Sequence, residues 1–457
     1  MGKYFGTDGF RGEAGVTLTA EHAYKIGRFL GWYYSQGGKH VKAIIGKDTR
    51  RSSYMFEYAI AAGLTSSGAD AYMLHVTTTP SVSYAVRNED FDFGIMISAS
   101  HNPYQDNGIK IVNGKGEKLD DDTTSKIELY LDGELLSLGI NESDIPFAVG
   151  SEIGEIVDYS AGRNRYIGYL ISLSKYSFKS FKVGLDCANG GAWMIAKSVF
   201  DALGAKTYTI NTSPNGLNIN DNAGSTHIEE LCKHVKENGL DIGFAFDGDA
   251  DRCIAVDEKG EVINGDHILY ILALHLKKHG MLTNNTVVTT IMSNLGLYRA
   301  LETVGINYVQ TTVGDRFVYE NMQANGHQIG GEQSGHIILS KFATTGDGVL
   351  TAIKVMEAVI ESKLSLSKLK EPVIMLPQVV KNVKVNDKRA VRENSTVMSE
   401  VNAVGKILGT RGRVLLRESG TEPVVRVMVE AESEAECSLC VDRIIEVINK
   451  EGLSVEE

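Results

Sequence analysis

Disulfides are the first thing this chain lacks the means to build. Five cysteines in 457 residues are an odd and small number for a framework of bridges, and they agree with a reducing compartment. Cys437 and Cys440 form a C-x-x-C, but no second pair completes a zinc site. The surrounding EAECSLCVDRIIEVINK sets Leu439, Val441, Ile444, Ile445 and Val447 in the pattern of an amphipathic helix, so both cysteines read as helix residues. Positive charge is also in short supply. The net charge of −12 argues against non-specific binding to nucleic acid or anionic membrane, which need a positive field, so an anionic substrate must find its cations locally. No apolar run approaches the ~20 residues that span a bilayer. The opening Met1-Gly2-Lys3-Tyr4-Phe5-Gly6 holds neither the apolar core of a signal peptide nor the serine or threonine of a myristoylation site. A cytoplasmic address is the expectation. Low-complexity tracts are missing too, and 43% hydrophobic with 23% charged residues describes an ordinary folded chain.

What is present is a repeated layout: a short apolar run, a polar or glycine-bearing loop, then a helical pattern. KAIIGKDTR, FGIMISASHNP, KVGLDCANGGA, LDIGFAFDGDADR and VVTTIMSNLG are its clearest instances. GDHILYILALHLKKHG reads as one of the helices, with Ile268, Leu272 and Leu276 on one face, lysines in its last turn and Gly280 as a C-cap glycine. Alternating strands and helices imply parallel sheets with covered faces, whose ligands bind in loops beyond the carboxyl ends of the strands. Periodicity lapses and proline appears near residues 140 to 158 and 365 to 378, which read as connections. Past the second, alternating VVRVMVE followed by one long helix suggests a smaller α+β domain.

The polar loops carry the chemistry. In DGDADR, Asp247, Asp249 and Asp251 stand at alternate positions after IGFAF; in an extended segment they share a side, and their repulsion calls for a hard divalent ion such as Mg²⁺. A solvated acidic turn is the plainer alternative. A calcium-binding helix-loop-helix is disfavoured, because Arg252 takes the place of the sixth-position glycine although Glu258 falls at the twelfth. A haloacid-dehalogenase-type phosphatase is a further reading, weakened by a missing threonine. Ser100, with His101, Asn102 and Pro103, lies just past a strand end, where a hydroxyl can act as a nucleophile if a metal, a base or a phosphate assists it; read alone, SASHNP is also a turn. RESGTEPVVR combines hydroxyls and a glycine with Arg417 and Arg426, the makings of a phosphate cradle or of a turn with two surface arginines. GGEQSGH, with Glu332, Ser334 and His336 among glycines, suits the hydroxyls of a sugar.

Together, ISASHNP, DGDADR, GEQSGH and ESGTEP, in this order, resemble the α-D-phosphohexomutase superfamily along the whole chain. Gln333, together with KYFGTDGFRG, DNGIKI, NINDNAGSTH, MSNLGL, TTVGDRFV and TTGDGVL, is similar to the branch acting on glucosamine phosphates rather than on glucose or mannose phosphates, which remain the alternative. Phe10, Ala223 and Glu418 depart from the usual pattern, and Glu418 could weaken anion binding. The resemblance implies three α/β domains with mixed, largely parallel sheets and a smaller α+β C-terminal domain, heart-shaped around a central cleft. Residues 1–155 would bear a phosphoserine, 156–256 the metal, 257–370 the sugar loop and 371–457 the phosphate loop. It implies Mg²⁺ held by Ser100, Asp247, Asp249 and Asp251, and charge neutralisation by Arg11 and Arg252. His101 would act beside the nucleophile, and Lys110 and His336 are the candidate bases, with the Lys110 pKa lowered by neighbouring cations. The sugar would meet Glu332, Gln333, Ser334 and Gly335; its phosphate would meet Arg417, Ser419, Gly420, Thr421 and Arg426. The implied reaction moves a phosphoryl group between positions 6 and 1 of glucosamine through a 1,6-bisphosphate, feeding UDP-N-acetylglucosamine synthesis. A sugar bisphosphate or a kinase would prime Ser100 in a monomer or homodimer.

Overall fold

Each apolar run that the sequence sets before a polar loop is a buried strand in the structure, a computed structural model that describes residues 2–419 and 423–455. The chain divides into two compact units, Met1–Met292 with Ile306–Glu371 and Ser293–Gly305 with Pro372–Glu457. The division at Glu371 and Pro372 falls inside the expected connection.

The first unit holds three mixed sheets. The first comprises β1 (Phe5–Gly6), β2 (Gly9–Glu13), β3 (Lys42–Lys47), β4 (Asp70–Val76), β5 (Phe93–Ile97), β6 (Asp106–Asn113) and β7 (Ile156–Asp158), in the order β1-β2-β6-β5-β3-β4-β7. The second comprises β8 (Lys182–Asp186), β9 (Lys206–Ile210), β10 (Ile242–Phe246), β11 (Cys253–Asp257) and β12 (Val262–Ile263), in the order β12-β11-β10-β8-β9. The third comprises β13 (Thr286–Thr290), β14 (Asn307–Thr311), β15 (Ile329–Gly331) and β16 (Ile337–Leu339), in the order β14-β13-β15-β16. Strands β5 and β10 are buried along their whole length, as strands covered on both faces must be.

One plan recurs in all three. A central strand (β3, β8, β13) has a parallel partner on each side, and the second partner (β5, β10, β15) turns back into an antiparallel neighbour (β6, β11, β16). Here the structure corrects the sequence reading. FGIMISASHNP and LDIGFAFDGDADR lead into return strands and not into helices, because the loops 98–105 and 247–252 are shorter than the dozen or more residues a parallel crossover needs. The expected junction at residue 155 also precedes the last strand of the first sheet, since β7 pairs with β4.

Helices Ala20–Tyr34 and Arg51–Thr65 cover the first sheet in close contact. A methyl group on Gly63 would lie 2.2 Å from the Tyr24 carbonyl oxygen, so only glycine lets the two helices approach this far. The helix Gly265–Lys278 has the expected end, with His279 as its cap and Gly280 in the left-handed region. Among the described residues, no helix is long and apolar enough to cross a membrane.

The second unit is antiparallel: β17 (Gln378–Lys384), β18 (Arg413–Glu418) and β19 (Val424–Glu430), in the order β17-β19-β18. Helices Ser395–Leu408 and Glu434–Lys450 share a valine-rich core with the sheet. Cys437 and Cys440 are buried in that core as free thiols, the packing role read from their helical setting. The helix Leu295–Thr303 also belongs here, where the Leu295 amide donates to Glu430 Oε2 at 3.0 Å and Asn294 bonds the Leu376 amide and carbonyl.

Candidate active site

Within the first unit, the three return loops hold the three motifs: Ser100 between β5 and β6, the aspartates between β10 and β11, and Glu332 to His336 between β15 and β16. Strands β5 and β10 each flank the central strand where the strand order reverses, the place where open α/β sheets bind ligands. The Cys253 amide donates to the Gly335 carbonyl at 3.0 Å, and Arg252 and His336 form an isolated bridge, so the second and third loops are stitched together.

Ser100 Oγ donates to Asp247 Oδ2 at 2.6 Å and lies 3.2 Å from His101 Nδ1. Its backbone sits in the left-handed region at φ +54, which costs a non-glycine residue energy and persists only where the surroundings impose it. They do. Its amide donates to Ser98 Oγ at 3.0 Å, and its carbonyl accepts from Asn220 Nδ2 at 2.8 Å and from Arg50 Nη2 at 3.3 Å. The same two side chains hold the Asn102 carbonyl at 2.9 and 2.6 Å. Arg50 is itself paired with Asp48, and both are fully buried. Arg50→Ala is expected to cost about 3–5 kcal/mol, because it leaves the Asp48 carboxylate buried and unpaired. A denaturant unfolding curve measures this; a midpoint equal to that of the unchanged protein would contradict it.

The triad converges by a different route from the one expected. The segment is a turn, closed by the Ala250 amide on the Asp247 carbonyl at 3.0 Å with Ala250 at φ +55, and not an extended stretch. Carboxylate oxygens of Asp247, Asp249 and Asp251 still lie within 4.8 Å of one another, all buried. Asp249 Oδ1 finds no hydrogen-bond donor among the described residues. Three buried carboxylates with an unused oxygen fit a hard divalent ion. Burial, with Asp251 and Asp249 beside it, pushes the Asp247 carboxyl well above its ordinary range.

Lys110 is where the electrostatic expectation fails. Its ammonium lies 2.7 Å from Asp249, 3.2 Å from Asp251 and 3.1 Å from Asp8. Burial opposes its charge, but these carboxylates outweigh burial and the nearby Arg11, and the pKa stands well above the ordinary value instead of below it. Its nearest neighbours are anions, not cations. Asp251, despite burial, is held well below the usual range by Lys110 and His336.

His336 Nδ1 faces Asp251 Oδ1 at 3.7 Å and its Nε2 faces Asp315 at 3.4 Å. Burial favours the neutral ring, but Asp315, Asp251 and Glu332 push its pKa up to about 9. The Gly346 amide pulls the other way, since at 3.0 Å it donates to Nε2, a bond open only to a ring with no proton there. Burial, then Arg252 and Arg11, push His101 down to about 3 and keep it neutral. Arg11 pairs with Asp8 and reaches Asn102 Oδ1 at 3.4 Å, while Arg252 is held charged by Asp247, Asp251 and Glu332 despite burial. Glu332 accepts from the Gly314 amide at 3.2 Å, Gln333 is half-buried, Ser334 is exposed and Gly335 takes φ +92 at the tip of its loop.

Several partners escaped the sequence reading. Asp8 and Asp315 share Lys118, which lies 2.9 and 2.7 Å from them, and Thr79 donates to Asp249. Arg50 had a signal, since KDTR follows the central strand of the first sheet beside Ser100; Asn220 lies inside NINDNAGSTH, a stretch that carried the resemblance but no expected contact. A cavity of about 450 Å³ opens beside this network, lined in part by Asp8, Lys110, Lys118, Asp251 and Arg316.

In the second unit, Arg417 and Arg426 are direct cross-strand partners of β18 and β19. Burial and then the neighbouring Arg426 lower the Arg417 pKa, and two cations placed opposite each other favour an anion between them. The Ser419 amide donates to the Val424 carbonyl at 3.0 Å, and Lys388, absent from the sequence reading, donates to the Ser419 carbonyl at 2.7 Å. Glu418 points to the other side of its strand and pairs with Arg392 at 3.4 Å, away from the two arginines. Gly420 and Thr421 lie outside the described residues.

Comparison with known proteins identifies the family. Models of the phosphoglucomutase/phosphomannomutase family match the chain in four parts: alpha/beta/alpha domain I at residues 2–135, domain II at 164–260, domain III at 264–374 and the C-terminal domain at 381–447. A phosphoglucosamine mutase of Lachnospira eligens is 62% identical over 457 residues, covering 100% of both chains. That of Bacillus subtilis is 48% identical over 451 residues, covering 99% of each. Among solved structures, a phosphoglucomutase/phosphomannomutase family protein from Burkholderia thailandensis shares the fold at TM-score 0.80 and 23% identity, covering 99% of each chain. Aspergillus fumigatus N-acetylphosphoglucosamine mutase, in complex with GlcNAc-6P and magnesium, shares it at TM-score 0.67 and 16% identity, covering 98% of this chain and 96% of that one. The chain belongs to the phosphoglucomutase/phosphomannomutase family and, within it, to the phosphoglucosamine mutases.

Proposed function

We propose that the chain interconverts glucosamine 6-phosphate and glucosamine 1-phosphate through a phosphorylated Ser100. The observation that carries this reading is the Ser100 hydroxyl, locked in left-handed backbone and bonded to Asp247 at 2.6 Å beside two further carboxylates. Phosphoserine 100 gives its phosphoryl group to the free sugar hydroxyl: the bond from phosphorus to the serine oxygen breaks, and one to the sugar oxygen forms. The resulting 1,6-bisphosphate turns over and returns its other phosphoryl group to Ser100. The hydroxyl proton leaves to a base; Lys110 and His336, which face the two oxygens of Asp251, are the candidates, and either one must first give up the proton that the neighbouring carboxylates hold on it. Arg11 and Arg252 offset charge on the transferring group. Asp247, Asp249, Asp251 and Ser100 would hold a Mg²⁺ ion, which supplies charge neutralisation at the phosphoryl oxygens.

Glu332, Gln333, Ser334 and Gly335 would orient the sugar, and Arg417, Ser419, Gly420, Thr421 and Arg426 would clamp the phosphate that is not reacting. Arg417→Ala is expected to raise the KM for glucosamine 6-phosphate by about 10- to 100-fold with a smaller change in kcat, the loss of one charge-assisted contact of ~1.5–3 kcal/mol. Steady-state kinetics decide, and an unchanged KM would remove Arg417 from the clamp.

The experiment for the reaction itself is a phosphorus NMR time course with Mg²⁺ and a trace of sugar 1,6-bisphosphate on glucosamine, glucose and mannose 6-phosphates in turn. Fastest growth of a 1-phosphate signal from glucosamine 6-phosphate is expected. Faster conversion of either other sugar would overturn the substrate, and release of free phosphate alone would overturn the mutase reaction.

A further inference from the structure

Far from the aspartate triad, a second set of side chains has the composition of a metal site. His275 lies in the last turn of helix Gly265–Lys278 and His279 is its capping residue, so the two rings share one face one turn apart, with centroids 4.8 Å from each other. Glu361 approaches from helix Gly348–Ser362, which packs against the first. Its Oε2 lies 3.3 Å from His275 Nδ1 and 2.7 Å from His279 Nε2, and the three donor atoms fall within 4.8 Å of one another. We propose that His275, His279 and Glu361 bind a divalent transition ion of the zinc type, clamping the ends of the two helices.

The donor set decides the ion. Two imidazoles and one carboxylate suit zinc and its neighbours, with a fourth position left to water, whereas Mg²⁺ prefers the all-oxygen triad. Ligands ~2.0–2.1 Å from a tetrahedral ion stand about 3.3 Å apart. The His275 to Glu361 separation already has that value, and the His279 contact has to open by only part of an ångström. Lys278 pairs with the remaining oxygen, Oε1, at 2.7 Å and leaves Oε2, which faces both rings, to the ion.

The rival explanation is a cluster of ion pairs alone, in which imidazolium and ammonium groups share Glu361 at a helix C-terminus. The two differ in what they ask of a titration. Both helices start beside the sugar loop, where the Gly265 amide donates to the Gln333 carbonyl at 3.0 Å and Asp347 caps the second helix. The cluster is ~20 Å away along the 14-residue helix, so an ion there acts on stability and not on the chemistry.

The test is equilibrium dialysis of the untagged, chelator-stripped protein against micromolar Zn²⁺ with millimolar Mg²⁺ present to occupy the triad, together with thermal unfolding. One zinc per chain with a higher Tm is expected for the unchanged protein. His275→Ala and Glu361→Gln should each bind zinc at least tenfold more weakly and lose the Tm increase, while turnover with Mg²⁺ stays unchanged and reports an intact fold. Lys278→Ala should keep zinc binding within about threefold, which an ion-pair cluster alone does not require. No zinc beyond the triad, or equal zinc in all four proteins, would overturn the proposal.

Discussion

Ser100→Ala binds glucosamine 6-phosphate within a few-fold of the unchanged protein and turns it over more slowly by on the order of 10³-fold or more, about 4 kcal/mol in the barrier. The size of the loss follows from the role. No other hydroxyl can take over a phosphoryl group if the covalent intermediate is formed at this oxygen. The expectation that binding survives rests on the structure. The Ser100 side chain makes its hydrogen bond to Asp247, whereas the loop is held through its backbone by Ser98, Arg50 and Asn220, none of which is touched. Removing one oxygen from a residue that is 1% exposed leaves no cavity of consequence. Calorimetric titration of the phosphosugar and a coupled turnover assay separate the two effects. Full activity in this variant would sink the phosphoserine mechanism, and lost binding would mean that the hydroxyl helps to hold substrate.

Asp247→Asn is expected to lose more than about 100-fold in activity, since a metal-held charge at a transferring phosphoryl group contributes several kcal/mol. Its effect on stability has the opposite sign. Three buried carboxylates with oxygens within 4.8 Å repel one another, and the asparagine relieves that repulsion while still accepting from Ser100 Oγ. The metal-free variant should therefore unfold at a higher temperature than the unchanged protein, and the Tm gain on adding Mg²⁺ should shrink. Thermal scans with and without chelator give both numbers. A variant that stays active, or one that still gains the full Mg²⁺ increment, would remove Asp247 from the metal site.

How far the sequence could be read shows in these residues. Ser100 and the aspartates were legible because strand-end motifs announce themselves locally: an apolar run, then polar groups at fixed spacing. The return strands β6 and β11 were missed, since an apolar segment after a loop reads equally as strand or helix until its pairing partner is known. Lys110 was singled out, but its electrostatic setting was not legible. It lies in β6, and the three carboxylates that hold its proton come from Asp8 and from the second sheet, contacts that no local pattern encodes. The contacts of Asn220 and Lys118 were invisible for the same reason. Their roles depend on where three sheets of one unit meet.

The recurrence of one plan in three sheets bears on ancestry. A central strand, two parallel flanks and a return strand, with chemistry always in the loop before the return, is what copying a single module twice and letting its loops diverge would produce. The three return loops differ in what they carry: a hydroxyl in the first, carboxylates in the second, and a carboxylate, an amide and an imidazole among glycines in the third. No module alone holds a complete set. The candidate site draws on all three copies of that plan, so a truncated or half-made chain would hold only part of it.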